Sequence, residues 1–371
     1  MTTHAFSKMF IACHLAISTL IAADFTWNGT VSSSWQEPAN WSPAGIPGPG
    51  DNLTVPSGKR AIELSDNREV ASFTFNGGEL SGSGTLTATS TFTWNAGTLS
   101  GTGRLFIPTG ATLIITGASN KGLVGWTVQV AGLARWEGTG DIGGGQGARF
   151  QIDPAGEWQI QTDADIYHSY VGNTPVIINQ GTVRKTAGTA VSDFGVPFEN
   201  QGSVQIASGT LRLQRTATHS GSFDVLSGCC LEFAGGTQEL GTTSSITGTG
   251  QLLVSGGTVN VNGQFNITGK TTLSSGTLNL NTDATSAGEF ELTGGTLAGT
   301  GTLTHAGTFT WNGGMLSGTG ALVIPAGATL VIGSASGKTL LSRTVSIAGN
   351  ARWEGTGYIS SGQGATVNVQ P

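Results

Sequence analysis

The decapeptides GGELSGSGTL, AGTLSGTGRL, GGTLAGTGTL and GGMLSGTGAL recur along a chain of 371 residues, and their spacing restricts the fold more than any other feature. Leu80 and Leu99 stand 19 residues apart, and Val259, Leu278, Leu297 and Leu316 follow one another at the same interval. A short fixed period of this kind marks a solenoid, in which each coil touches only its neighbours. Within the period, stretches such as FTWN, TLVI and TVNVN alternate apolar residues with Thr, Ser or Asn. A period of two belongs to a strand with one face turned inward. Glycine interrupts every stretch that could otherwise be helical, at about 1 kcal/mol for each interruption. The glycines are better placed at corners, where the chain turns or approaches the next coil closely. The pattern predicts an all-β parallel β-helix, or β-solenoid, with about 19 residues per coil. About 18 coils would then form a rod of about 85 Å, and right-handed crossovers are the rule for parallel strands.

A longer period encloses the short one. Displacing the sequence by 217 residues aligns Phe92–Pro154 with Phe309–Pro371 without a gap, and about 39 of roughly 63 positions are identical. The heptapeptide ARWEGTG, at Ala134–Gly140 and Ala351–Gly357, recurs because this whole module recurs. Residues 24–64 differ in kind, with Trp27, Trp35, Trp41 and five prolines. They are expected to cap the first coil, whose strand edges and core would otherwise lie open. The solenoid is then expected over 65–371. Residues 1–23 carry Lys8, an apolar stretch from Met9 and small residues at Ala22 and Ala23, the layout of a secretory signal peptide. No later run reaches the roughly 18 apolar residues of a membrane-spanning helix. These features predict a secreted or surface-held protein, extracellular or associated with an outer membrane.

Composition excludes several function classes. With 16 basic and 22 acidic residues and no basic cluster, the chain has little with which to neutralise a phosphate backbone, so nucleic acid is not an expected partner. Three cysteines do not make a disulfide framework in a chain of this length. Cys229 and Cys230 are adjacent and read as small core residues. His168, His219 and His305 are too scattered for zinc, and the glycine-rich nonapeptide signature for calcium is absent around Asp283, Glu289 and Glu291. No metal and no cofactor is expected.

WNG, ANWS and GIPGPGD near the start, followed by FTWNAGTLSGTG, IPTGATLIITG, VRKTAGT and GVPFENQGSVQIASGTL, resemble repeat regions of large secreted bacterial surface proteins. Those regions are the adhesin-like and autotransporter-passenger-like β-solenoids. The resemblance covers nearly all of the chain after residue 23. It implies export, a rod-like parallel β-helix and a role in display, adhesion or matrix, and it transfers no catalytic residue. Its implied partners are cell-surface or matrix polysaccharide, or other surface proteins.

Parallel β-helices also carry polysaccharide lyases and glycosidases, and glycoside hydrolysis needs two carboxyl groups about 5 to 9.5 Å apart. Asp163 and Asp165, with Tyr167 and His168 in QTDADIYHSY, are the best local set for such chemistry. A polar surface loop explains the same residues. Trp136 and Glu137, with their duplicates Trp353 and Glu354, are the candidates for sugar binding. If the indoles face outward they could stack on a sugar ring, and if they face inward the flanking Arg and Glu form an exposed ion pair. Alternation with FTWN favours the inward placement. Threonine-rich stretches such as TLTATSTFT and TGKTTL read as local bursts and not as the ladder that ice binding would need. The sequence therefore points to a structural or adhesive surface rod without enzymatic activity. The alternative is a carbohydrate-binding or polysaccharide-degrading protein on the same scaffold.

Overall fold

The computed structural model describes residues 22–370, so the expected signal segment lies almost wholly outside the described residues. Forty-six strands and one short 3-10 turn, Pro38–Asn40, make up the ordered elements, with no α-helix among the described residues. The chain is an all-β parallel β-solenoid of about 15 turns. Each regular turn lays down three strands of about four residues, one on each of three faces. Arg104–Ile107, Thr112–Ile115 and Lys121–Val124 form one such turn. The face that begins at Ile62–Leu64 continues as a single 15-stranded parallel sheet to Asn350–Trp353.

The mean turn is about 21 residues and not the expected 19. The short period holds where corners are minimal, as between Leu80 and Leu99 or along Val259, Leu278, Leu297 and Leu316, which stack in one column. Elsewhere the corners lengthen. Ile142 pairs with Ile166 across 24 residues, and Ile166 with Phe194 across 28. A solenoid tolerates this because only strand register is fixed, and loop closure costs little for a few added residues.

Alternation decides what is buried. Strands repeat an outward-inward pattern, and one continuous apolar core contains Phe73, Phe92, Leu113, Val204, Leu252 and Phe290 among many others. Equivalent aromatics stack from turn to turn: Phe73 on Phe92 at 5.1 Å and Phe290 on Phe309 at 4.7 Å. Each such pair contributes about 0.5–1.5 kcal/mol beyond area burial.

At the N-terminal end, Asp24–Trp27 pairs antiparallel with Trp41–Ser42 and parallel with Asn52–Val55. Trp27, Trp35 and Trp41 are buried against one another, and Trp35 stacks on Phe73 of the coil beneath at 6.1 Å. Asn40 is also buried, with its Oδ1 accepting from the backbone N–H groups of Val31 and Ser32, both at 3.0 Å. Asn52–Val55 and Ile62–Leu64 already run in register with the turns that follow, so parallel stacking begins before residue 65.

The duplicated modules keep their local structure but not their place around the axis. Lys121 and Lys338 are equivalent buried corner lysines, donating to Ser119 O at 2.8 Å and Ser336 O at 2.9 Å. Yet Lys121–Val124 lies in the 15-stranded sheet, whereas Lys338–Leu341 lies in the large sheet beside it. Leu133–Trp136 and Asn350–Trp353 differ in the same way. The displacement of 217 residues spans whole turns plus one strand, so the second copy is carried one face around the rod.

Candidate functional site

The long corners surround the residues singled out for chemistry. Asp163 does not stand free: its Oδ1 accepts from Lys185 Nζ at 3.0 Å. The Lys185 side chain is fully buried and donates also to Thr162 O at 2.9 Å, Ser192 Oγ at 3.0 Å and Ala187 O at 3.2 Å. Alternation in TVRK puts Lys185 on the same inward face as Val183, so the ammonium needs this cage of oxygens to be tolerated.

Asp165 belongs to a different arrangement. Asn120 Oδ1 accepts from the backbone N–H of Asp141, Asp141 Oδ1 from that of Asp165 at 3.0 Å, and Asp165 Oδ1 from that of Asp193 at 2.8 Å. One side chain per turn thus caps the corner of the next. Asp193 continues the column through Arg212, whose Nε donates to Glu232 Oε2 at 2.8 Å. Burial raises the Asp165 carboxyl above its ordinary value, partly opposed by the Asp193 N–H and reinforced by Asp141. Burial likewise raises Asp193, against the pull of Arg212 and together with the push of Asp165.

Two grooves flank this column. One, of about 410 Å³, is lined by Glu137, Asp141, Gln161 and Asp163. The other, of about 200 Å³, is lined by Asp165, Tyr167, His168, Asp193, Gln214 and Arg215. Asp165, Tyr167 and the exposed His168 therefore share a groove, while Asp163 borders the other and is engaged by Lys185. Sequence reasoning missed Asp141, Lys185, Asp193 and Arg212, which lie one or two turns away across corners of unequal length. A lysine at an inward position of an alternating strand was the one signal available.

The Trp136 indole takes the inward placement that alternation favoured. It is fully buried and stacks on Trp158 at 6.0 Å, and Trp158 stacks on Phe194 at 5.7 Å. Glu137 pairs with Arg135 at 3.2 Å on the surface, where such a pair contributes about 0–1 kcal/mol. Trp353 is 57% exposed, on a strand that pairs with Thr329–Ile332 alone, and Glu354 lies 3.5 Å from Arg352. Because the two modules occupy different faces, the two ARWEGTG segments do not form one continuous surface.

The threonine bursts conceal two ladders. Thr26, Thr54, Thr74 and Thr93 stack in one outward column, which then reaches Ile114. Thr237, Thr258, Thr277 and Thr296 stack in another, which then reaches Met315. Beside the second, Asn279 Nδ2 donates to Asn260 Oδ1 at 2.6 Å. Among the described residues no three His, Cys, Asp or Glu side chains are grouped to hold a metal ion. Glu289 and Glu291 flank Lys270, and Asp283 caps the backbone of Thr302. Cys229 and Cys230 are free thiols, both raised by burial, Cys230 to about 12. No protein-family model, curated protein or solved structure matches the chain.

Proposed function

We propose that the protein is an exported structural or adhesive rod of the cell surface, presenting a long polar face for many weak contacts with matrix polysaccharide or other surface proteins. The observation that carries this reading is how the side chains are used. The best-placed ionisable groups hold one turn to the next, as in Lys185–Asp163 and the Asp141–Asp165–Asp193 column. The threonine ladders, by contrast, offer hydroxyls at the spacing of the turns, about 4.8 Å. Individually weak contacts at such a spacing add into firm retention because each further contact forms intramolecularly.

Retention of the secreted chain on immobilised polysaccharides tests the proposal. Single Thr→Val changes at Thr237, Thr258, Thr277 or Thr296 should alter retention less than about twofold, and the fourfold variant should lower it about tenfold or more. Failure of the chain to be retained on any polysaccharide or cell surface would remove the adhesive role.

One observation favours a second reading, a carbohydrate-binding or polysaccharide-degrading groove. Asp165 and Asp193, both raised by burial, lie on adjacent turns beside Tyr167 and His168. Adjacent turns stand about 4.8 Å apart, near the ~5–5.5 Å carboxyl separation of retaining glycosidases. Asp165→Asn discriminates cleanly, because Asn120 shows that an amide caps the next turn as well as a carboxylate does. Depolymerisation by the parent chain that disappears in this folded variant would establish the enzyme and displace the rod reading.

A further inference from the structure

Buried polar side chains follow one another inside the rod: Asn179, Asn200 and His219 stand in register on successive turns, and Gln238 of the next turn, opposite Ala217, reaches His219 through its side chain. Three are carboxamides, and His219 is the only ring among them. Asn179 Nδ2 donates to Asn200 Oδ1 at 2.8 Å, and Asn200 Nδ2 donates to Ser222 O at 3.0 Å. Gln238 Nε2 donates to Arg215 O at 2.7 Å and Gly235 O at 3.2 Å, which turns its Oε1 toward His219 Nε2 at 2.9 Å. From the other side, the backbone N–H of Asn200 donates to His219 Nδ1 at 3.3 Å.

Both ring nitrogens are thereby committed. Nδ1 accepts, Nε2 carries the hydrogen, and the imidazole is neutral. A second proton on Nδ1 would face the N–H of Asn200, donor against donor. Phe223 lies edge-on to the ring at 5.1 Å and Phe233 at 6.5 Å, and the residue borders a groove that Gln201, Thr218 and Glu239 also line. Charged groups on the strands packed around the ring are Glu199, Arg212, Asp224, Glu232 and Glu239; they occupy the outward positions of alternation, and none bonds to it. His305, the other buried histidine among the described residues, differs because its Nδ1 meets Ser286 Oγ at 2.8 Å, a hydroxyl that can rotate from donor to acceptor. A backbone N–H cannot.

We propose that His219 is an acid-responsive rung, and that taking up a proton there opens the turns around Asn200–Gln238 while the rest of the rod stays folded. Burial holds the imidazole down at about 4, against a usual value near 6.5. The unfolded segment therefore binds the proton first as pH falls. The stability that neutral His219 supports is complete above about 6.5 and is lost as pH falls toward 4. Local opening is open to a solenoid because each turn contacts only its neighbours.

Hydrogen exchange read by mass spectrometry at pH 7 and pH 4, corrected for intrinsic rates, tests this on the full chain. The expected result is a loss of protection confined to peptides within 198–240 at pH 4, about tenfold or more in rate. His219→Gln, which completes the series with a non-titrating amide, should remove the pH dependence and keep protection at both values. Equal protection of 198–240 at the two pH values, or the same acid loss in folded His219→Gln, overturns the proposal. Should that variant not fold, an NMR titration of the parent histidines decides: His219 titrating near 6.5 overturns the proposal, and His219 neutral down to about 4 with local broadening below it supports it.

Discussion

At the scale of single residues, the interior tolerates charge only where oxygens surround it. Lys185 is the clearest case, and its four acceptors predict an asymmetry. Lys185→Met takes the ammonium from the Asp163 carboxylate and Ala187 O and leaves Thr162 O with the Ser192 hydroxyl alone, and should cost about 2–4 kcal/mol. Asp163→Asn leaves three other acceptors in place and should cost about 1 kcal/mol. Chemical denaturation of both variants checks this, and equal losses would mean that the carboxylate alone holds the lysine. Arg343 is a second case: it is buried, donates to the carbonyls of Leu297, Ser317, Gly301 and Ala321, and is pulled down to about 10 by burial. It occupies the place of Trp126 in the first module, whose Nε1 donates to Gly82 O at 3.2 Å. That substitution was legible from the repeat alignment. The carbonyls that receive the guanidinium were not, since two lie more than 40 residues upstream on earlier turns. Trp136, by contrast, could be placed from alternation alone, because the strand period fixes which side chains turn inward.

At the scale of elements, strands were legible and corners were not. Period-two alternation locates strands such as Thr258–Val261 and Thr277–Leu280 directly, whereas the length of a corner leaves no periodic trace. One long corner shows how the sequence adapts. After Ile166–His168, the residues Ser169–Pro175 fold back over Ile142–Gly145, where side chains would collide with them. A Cβ at Gly145 would stand 2.5 Å from the Tyr170 Cβ, and one at Gly144 would stand 2.8 Å from the Pro175 Cγ. The second module has Ser360, Ser361 and Gly362 at the matching places, and a Cβ at Gly362 would meet only Leu341, at 3.4 Å. Gly145→Val should therefore dislodge the loop and speed limited proteolysis within 169–175 about tenfold, while Gly362→Val leaves cleavage there unchanged. Equal effects would show that the glycines serve the backbone and not the loop.

At the scale of the whole molecule, nearest-neighbour stacking predicts that turns can be removed where register is regular. Deleting 258–276 takes out one turn of three strands, joins Gly257 to Thr277 and lets Thr237–Leu240 pair with Thr277–Leu280. Thermal unfolding should change little, and solution scattering should report a rod about 4.8 Å shorter. Removing Tyr167–Phe194 takes out one turn as well, but with it Lys185, Asp193 and the Phe194 ring that stacks on Trp158, and should lower the melting temperature markedly. If both deletions behave alike, turn regularity is not what governs stability. The offset between the duplicated modules carries the same logic into the chain's history. Because a copy keeps its local structure when shifted by one strand, recombination between modules need not insert whole turns. It can alter the azimuth at which a decorated surface looks out, so that such a chain can grow longer and aim its contacts in a new direction in a single genetic event.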